Sequence, residues 1–170
     1  LLILDSKIAV SDRRLFSARG AGIMGFSVFG RDTTYALDEN MELNADAVAA
    51  FCEKYKAEPV LLFGYTFMIW KHFYLALKEK GIKVDLGEDS TLFHVGGWKK
   101  LKDMAVDTET YKRSLLEQVG IRRVYDYYGM AEQLGSIFVA CEEGHLHASI
   151  YSDVITRNPL DLRPCDIGET

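Results

Sequence analysis

The chain has 170 residues, enough for one domain with a sizeable core. With 48% hydrophobic and 26% charged residues its composition is that of an ordinary globular protein, and no apolar run reaches the roughly 18 residues of a membrane span. A net charge of −5 and the lack of a basic stripe argue against nucleic acid as a partner.

Asp5 and Lys7 interrupt the opening apolar run too early for a secretory signal. The three cysteines, Cys52, Cys141 and Cys165, are odd in number and far apart. A reduced, cytoplasmic compartment is therefore expected. The chain starts on Leu1 rather than Met and stops at Asp166-Ile167-Gly168-Glu169-Thr170 with no closing element, so it is expected to be a piece of a larger protein.

In chain order, residues 1–4 form an apolar run that predicts a short strand. Gly20, Gly22 and Gly25 then spell G-x-G-x-x-G. A dinucleotide site needs a helix to open just after such glycines, so that its N-terminus meets the pyrophosphate. Here Phe26-Ser27-Val28-Phe29-Gly30 and Thr33-Thr34-Tyr35-Ala36-Leu37 follow, both aromatic and β-branched, and both predict strands. The glycines are thus expected in a β-structured turn region.

Asn44 is a good N-cap for a helix over 45–56, with Val48, Phe51, Cys52 and Tyr55 on one apolar face. Cys52 in that face reads as core. Pro59 restarts the chain as a continuously apolar strand over 60–63, as suits the centre of a parallel sheet. Gly64 and Tyr65 lead into a long helix over 66–80 that Gly81 ends. Residues 82–84 read as extended and 90–95 as another strand, which closes on Gly96-Gly97-Trp98-Lys99-Lys100. A helix over 108–118 stops at Gly120, and 122–127 is a further strand.

Strands and helices therefore alternate from 44 to 128. That alternation predicts an α/β fold: a mostly parallel sheet with crossover helices. Residues 137–141, 146–151 and 153–157 read as short strands, broken by Pro159 and Pro164. The expected organisation is a parallel α/β core over about 44–135 and a β-rich extension over about 136–170. Ligands of parallel sheets gather at the carboxyl ends of the strands. Gly64-Tyr65, Gly96-Gly97 and Tyr128-Gly129 all fall there.

The stretch Tyr125–Ser136 crowds Tyr125, Tyr127 and Tyr128 beside Gly129 and the lone carboxylate Glu132. Aromatic faces next to a glycine and an acid suit a flat, polyanionic ligand. Tyr128 could stack on a purine, and Glu132 could hold a magnesium ion shared with a nucleotide phosphate. The plainer alternative is a surface acid in a helical turn. Gly96-Gly97 would let a flat group approach the backbone, with Trp98 as a wall and Lys99 or Lys100 toward phosphate. The plainer alternative is a strand-ending turn with a packed tryptophan and solvated lysines.

Tyr128-Gly129-Met130-Ala131-Glu132-Gln133 resembles the Y-G-x-T-E signature of the adenylate-forming superfamily. Gly96-Gly97-Trp98-Lys99 is similar to the glycine pair upstream of that signature, and GGWKK is typical of the acyl-protein synthetase (LuxE-like) branch. Phe63-Gly64-Tyr65-Thr66-Phe67 falls where these enzymes place the loop and helix that wall the acyl pocket, and Pro164 with Gly168-Glu169 resembles a later P…GE segment. The likeness runs over about 15–170 and implies that the chain is part of the large adenylation domain.

The resemblance implies ATP-dependent activation of a carboxylic, fatty-type acid as an acyl-adenylate, then transfer to a protein thiol. It implies ATP and Mg as cofactors and an acyl reductase as a partner. It assigns nucleotide binding to Gly96, Gly97, Trp98, Lys99, Tyr127, Tyr128, Gly129, Met130 and Ala131. It assigns the acyl pocket to Gly64, Tyr65 and Phe67, and catalysis through magnesium to Glu132. Ala131 departs from the family's threonine, whose hydroxyl touches phosphate. The family's phosphate loop, ribose-binding aspartate and C-terminal lysine domain fall outside the matched stretch, so these 170 residues alone are expected not to adenylate. The alternatives are a coenzyme A ligase of the phenylacetate-CoA ligase type and a non-catalytic nucleotide- or acyl-binding module.

Cys141-Glu142-Glu143-Gly144-His145-Leu146-His147 could start a zinc site through Cys141 and His147, with Cys165 or downstream residues completing it. A similar cysteine–glycine–histidine turn occurs in the phenylacetate-CoA ligase-like branch. A hairpin with exposed histidines and a buried thiol is the simpler expectation, because this turn alone cannot supply four ligands.

Overall fold

Five apolar segments pair side by side as parallel strands. The computed structural model describes residues 1–11, 17–129 and 136–169. The strands are β1 (Leu2–Ser6), β2 (Thr34–Leu37), β3 (Leu61–Tyr65), β4 (Thr91–Val95) and β5 (Arg123–Gly129). Two short antiparallel strands, β6 (Ile137–Ala140) and β7 (Leu146–His147), extend the same sheet. The seven strands run in the order β2-β1-β3-β4-β5-β6-β7. Parallel pairing already begins at β1, every residue of which is buried. A strand buried on both faces reads as an unbroken apolar run, and Leu2-Ile3-Leu4 is one.

Helices cover both faces. On one lie α3 (Ala45–Tyr55), α6 (Thr108–Val119) and a long helix in three parts: α4 (Thr66–Met68), a π-helical turn (Ile69–Tyr74) and α5 (Leu75–Glu79). These pack on Leu2, Leu4, Leu62, Leu92 and Val124. On the other lie α1 (Ile8–Ser11) and α2 (Ala18–Ser27), over Ile3, Phe63, Phe93 and Tyr127. The local signals for the helices are those expected. Asn44 Oδ1 accepts from the Ala47 N–H at 3.0 Å, and Gly81 and Gly120 adopt positive φ of 65° and 75° where helices end. Cys52 is half-buried against the core, and burial raises its pKa.

Two expectations are overturned. Phe26-Ser27-Val28-Phe29 is not a strand: it finishes α2 and its C-terminal turn. The glycines of G-x-G-x-x-G therefore lie within a helix, not in a β-structured turn. A Cβ on Gly20 would stand 2.6 Å from the Ala9 carbonyl oxygen, and one on Gly22 2.7 Å from the Tyr65 hydroxyl oxygen. These two glycines serve close packing of α2, and Phe26 stacks on Phe63 with ring centroids 4.0 Å apart. Burial of that aromatic pair outweighs the β-propensity of the segment.

Residues 82–84, expected to be extended, join no strand and run beside the end of α6, with the Val84 N–H donating to the Gln118 carbonyl and the Leu86 N–H to that of Val119. Finally, the extension is far less β-rich than its composition suggests. Only Leu146–His147 of 146–151 pairs as a strand, and 153–157 contributes a single bridge, Arg157 to Pro164. Ile150, Tyr151 and Leu160 lie about 90% exposed there, so nothing buried rewards strand pairing.

Candidate functional site

Sheet register brings the three glycine loops together. Tyr65, Val95 and Tyr127 pair as neighbours across β3, β4 and β5; Gly64, His94 and Asp126 form the adjacent row. Side chains alternate between faces along each strand. Phe63, Phe93 and Tyr125 with Tyr65, Val95 and Tyr127 thus face α2, whereas Gly64, His94 and Asp126 face α6 and the long helix.

On that second face a cavity of about 230 Å³ opens at the carboxyl ends of β4 and β5. Gly96, Gly97 and Trp98 form its lip, and Thr66, His94, Tyr111 and Asp126 its polar lining. Val106 and Thr108 close the side toward α6. Larger clefts of about 430 and 560 Å³ sit at the opposite ends of the strands, away from the glycine loops. Gly96 has φ of 80°, a left-handed conformation that favours glycine. A Cβ on Gly97 would meet nothing within 4 Å, so its backbone stands open at the lip.

The lining is ordered by hydrogen bonds. His94 is 6% exposed, and its Nδ1 lies 2.9 Å from Thr66 Oγ1. The Thr66 hydroxyl donates to the Val95 carbonyl at 3.3 Å. That hydroxyl has a single proton to give, and the ring's tautomer sets whether His94 Nδ1 donates to it or accepts from it. Burial, assisted by Lys112, lowers the His94 pKa to about 4, so the ring is neutral at pH 7. Asp126 Oδ1 lies 3.7 Å from His94 Nδ1, and burial raises the Asp126 pKa.

Tyr111 is 3% exposed and enclosed by aromatic rings. It stacks on Trp70 at 5.6 Å, meets Trp98 edge-on at 6.2 Å and lies 5.0 Å from His94 between ring centroids. Trp70 comes from the π-helical turn, which directs it against α6. Among the described residues the Tyr111 hydroxyl is the buried side-chain polar atom without a hydrogen-bond partner. Burial and the Asp126 charge raise its pKa well above 10, so it stays protonated.

The residues expected from sequence divide between this cavity and its surroundings. Gly96, Gly97 and Trp98 line it, and Lys99 opens a 3-10 helix (Lys99–Met104) just beyond. Tyr127 faces α2, its pKa pushed up to about 12 by burial and by Tyr65 and Asp126. Tyr128 ends β5 half-exposed, 6.4 Å from Phe138 between centroids, and Gly129 pairs with Ile137. Gly64 does not line the cavity: a Cβ there would stand 2.9 Å from Ile69 Cγ1 and 3.0 Å from Leu4 Cβ, so it serves helix-on-strand packing. The Tyr65 hydroxyl donates to the Ala18 carbonyl at 2.9 Å, and Phe67 is half-buried in the helix that follows. Met130, Ala131 and Glu132 lie outside the described residues.

At the other cluster, the Cys141 N–H donates to the His145 carbonyl and the Gly144 N–H to the Cys141 carbonyl, which makes a tight hairpin between β6 and β7. His145 and His147 are exposed and Cys141 half-buried. No three His, Cys, Asp or Glu side chains come together as metal ligands among the described residues.

His94, Tyr111 and Asp126 were not singled out by the sequence reading. Two of them carried a signal: His94 and Asp126 are polar residues in strands of otherwise apolar or aromatic pattern, each two positions before a loop residue already of interest, Gly96 and Tyr128. Tyr111 carried none, being one aromatic among many on a helix face.

The family model described as Acyl-protein synthetase, LuxE, matches residues 18–170. No curated protein and no solved structure matches the chain. None of the described helices is long and apolar enough to cross a membrane.

Proposed function

The chain belongs to the acyl-protein synthetase, LuxE, family, and from that premise we propose that its sheet edge helps to activate a carboxylic acid with ATP as an acyl-adenylate before the acyl group passes to a protein thiol. The observation that carries this reading is the cavity under Gly96-Gly97 and Trp98. Glycine backbone, aromatic rings and polar side chains line it, and it sits beside Tyr128-Gly129 at the carboxyl ends of neighbouring parallel strands. Its aromatic rings and open glycine backbone suit a planar base. The adenine of ATP would enter there, its triphosphate directed toward the carboxyl end of β5.

In the first step a carboxylate oxygen attacks the α-phosphorus, the bond to the bridging oxygen breaks and pyrophosphate leaves. In the second a thiolate attacks the acyl carbon and AMP leaves. These residues contribute by orientation: they hold the base, so that the α-phosphate meets the acid in line. Glu132, three residues beyond the end of β5, is the oxygen donor we assign to magnesium, which supplies charge neutralisation at the phosphates when bound. We assign the acyl chain to the side of the Phe26, Phe63, Phe93 and Tyr127 cluster under α2, with which Tyr65 packs; Phe67 lies in the helix that follows β3.

Acid-dependent ATP–pyrophosphate exchange by the full-length protein tests this reading. Exchange is expected, and Glu132→Gln should lower it on the order of a hundredfold. Absence of exchange with any of a panel of fatty and aryl acids would refute adenylation. Labelled acid should end on protein; label on free coenzyme A would instead identify a coenzyme A ligase.

A further inference from the structure

We propose that His94 is a ligand-binding residue of the cavity under Gly96-Gly97, its ring Nε2 hydrogen-bonding to the base of a bound ATP. This rests on the reading of that cavity as the nucleotide site. His94 stands in β4, in the row that faces α6, and lines the cavity while only 6% exposed. One ring nitrogen is engaged: Nδ1 lies 2.9 Å from Thr66 Oγ1. Nε2 has no hydrogen-bond partner among the described residues. It is not sealed off either. Among the described residues the Tyr111 hydroxyl is the fully enclosed side-chain polar atom without a partner, so an unpartnered Nε2 keeps some accessible surface. On a side chain buried this deeply, that surface belongs to the cavity His94 lines.

Burial keeps the ring neutral at pH 7. A neutral imidazole has one donor and one acceptor, so whichever of them Nδ1 uses toward Thr66, Nε2 offers the other to a ligand. The contact point is fixed: β4 is paired on both sides, by β3 and β5, and the ring is held between Thr66 and the Tyr111 ring, 5.0 Å away between centroids. Charge selects the part of ATP that comes here. Asp126 Oδ1 lies 3.7 Å from Nδ1, and no cationic side chain is among the described residues that line the cavity. A carboxylate beside a neutral imidazole repels the triphosphate and admits a neutral polar group. The base and the ribose are the neutral polar parts of ATP. The Trp98 and Tyr111 rings in the same lining favour the base, since aromatic side chains pack on nucleobases.

Asparagine and glutamine separate the two ring nitrogens, because the shorter amide reaches about as far as Nδ1 and the longer one about as far as Nε2. In the full-length protein, His94→Asn keeps a polar group for Thr66 and removes the one at Nε2. By calorimetry it should bind ATP about fivefold more weakly than the parent, the loss of one neutral hydrogen bond. His94→Gln returns an amide to the Nε2 position and should bind ATP more tightly than His94→Asn. ATP analogues altered at one ring nitrogen or at the exocyclic amine, and analogues lacking one ribose hydroxyl, locate the partner. One base analogue should bind the parent weakly and lose nothing further in His94→Asn, whereas the ribose analogues should lose as much as ATP does. The parent gives a readout free of any substitution: with isotope-labelled histidine, the His94 Nε2 resonance should shift on adding ATP. Unchanged ATP affinity in His94→Asn, an equal loss in both variants, a loss cancelled by a ribose analogue, or an Nε2 resonance that does not move overturns the assignment while leaving the cavity a nucleotide site. A parent protein that binds no ATP sinks the nucleotide reading and this inference with it.

Discussion

The two faces of the sheet differ most where the strands end. Toward α2 the last rows are aromatic: Phe63, Phe93 and Tyr125, then Tyr65 and Tyr127 on either side of Val95. Toward α6 the same strands change from Leu62, Leu92 and Val124 to Gly64, His94 and Asp126 within one repeat. The first face is held by ring-on-ring packing, with Phe26 set on Phe63. The second keeps a hydrogen-bonded threonine–histidine pair, a carboxylate and an unpaired hydroxyl around a cavity. One face is therefore packed ring on ring and the other lined with polar groups around a cavity, and they share the same three strands.

The largest effect that would break this contrast is on the aromatic face. Phe63 is fully buried, and Phe63→Ala should cost about 3–5 kcal/mol of stability, measured by urea denaturation. A loss below about 1 kcal/mol would mean that α2 is not seated on the sheet as described.

On the polar face the expected signature is pH dependence. The unfolded His94 imidazole titrates near 6.5 and the folded one near 4. Between those values the unfolded chain holds a proton that the folded chain lacks. Stability should therefore be complete above about 6.5 and fall as the pH drops toward 4, by about 3 kcal/mol in all. Carboxylates titrate in the same range, so the comparison to make is with His94→Gln: its stability should fall less between pH 7 and 4.5, and an identical fall in both proteins would remove the buried neutral histidine.

The smallest of the three effects lies where β3 meets the long helix. Gly64→Ala would press a methyl group onto Ile69 and Leu4, at a cost of about 1–3 kcal/mol by thermal melting. If it costs nothing, the π-helical turn does not pack on β3 as closely as its contacts indicate. Tyr111→Phe is the counterpart on the polar face: it removes the unpaired buried hydroxyl and is expected to raise the melting temperature.

Much of the scaffold was legible in the sequence because its signals are local. Asn44, Gly81 and Gly120 mark helix ends through their own backbone and side-chain chemistry, and continuous apolar runs mark β3 and β4. The parallel sheet followed from the alternation of strands and helices. The glycine pair and Trp98 were legible too, since they fall at a strand end and at the lip of the cavity. What failed was non-local. The composition of Phe26–Phe29 favours a strand, yet Phe26 is held in a helix by Phe63, which lies 37 positions later in the chain. The residues after Tyr151 have strand-like composition but find no buried face to pair against.

The sequence by itself thus determined the class of fold, the strand ends on which the glycine pairs fall, and, through its motifs, the family. Only the tertiary structure decided which face of each strand carries the polar lining, that Gly64 packs while Gly97 lies open, and that Tyr111 reaches His94 from a different element. Strand periodicity states which residues share a face but not what covers it; that depends on where α2 and α6 land. A hydroxyl on a helix gains meaning only when neighbouring strands leave it buried and without a partner.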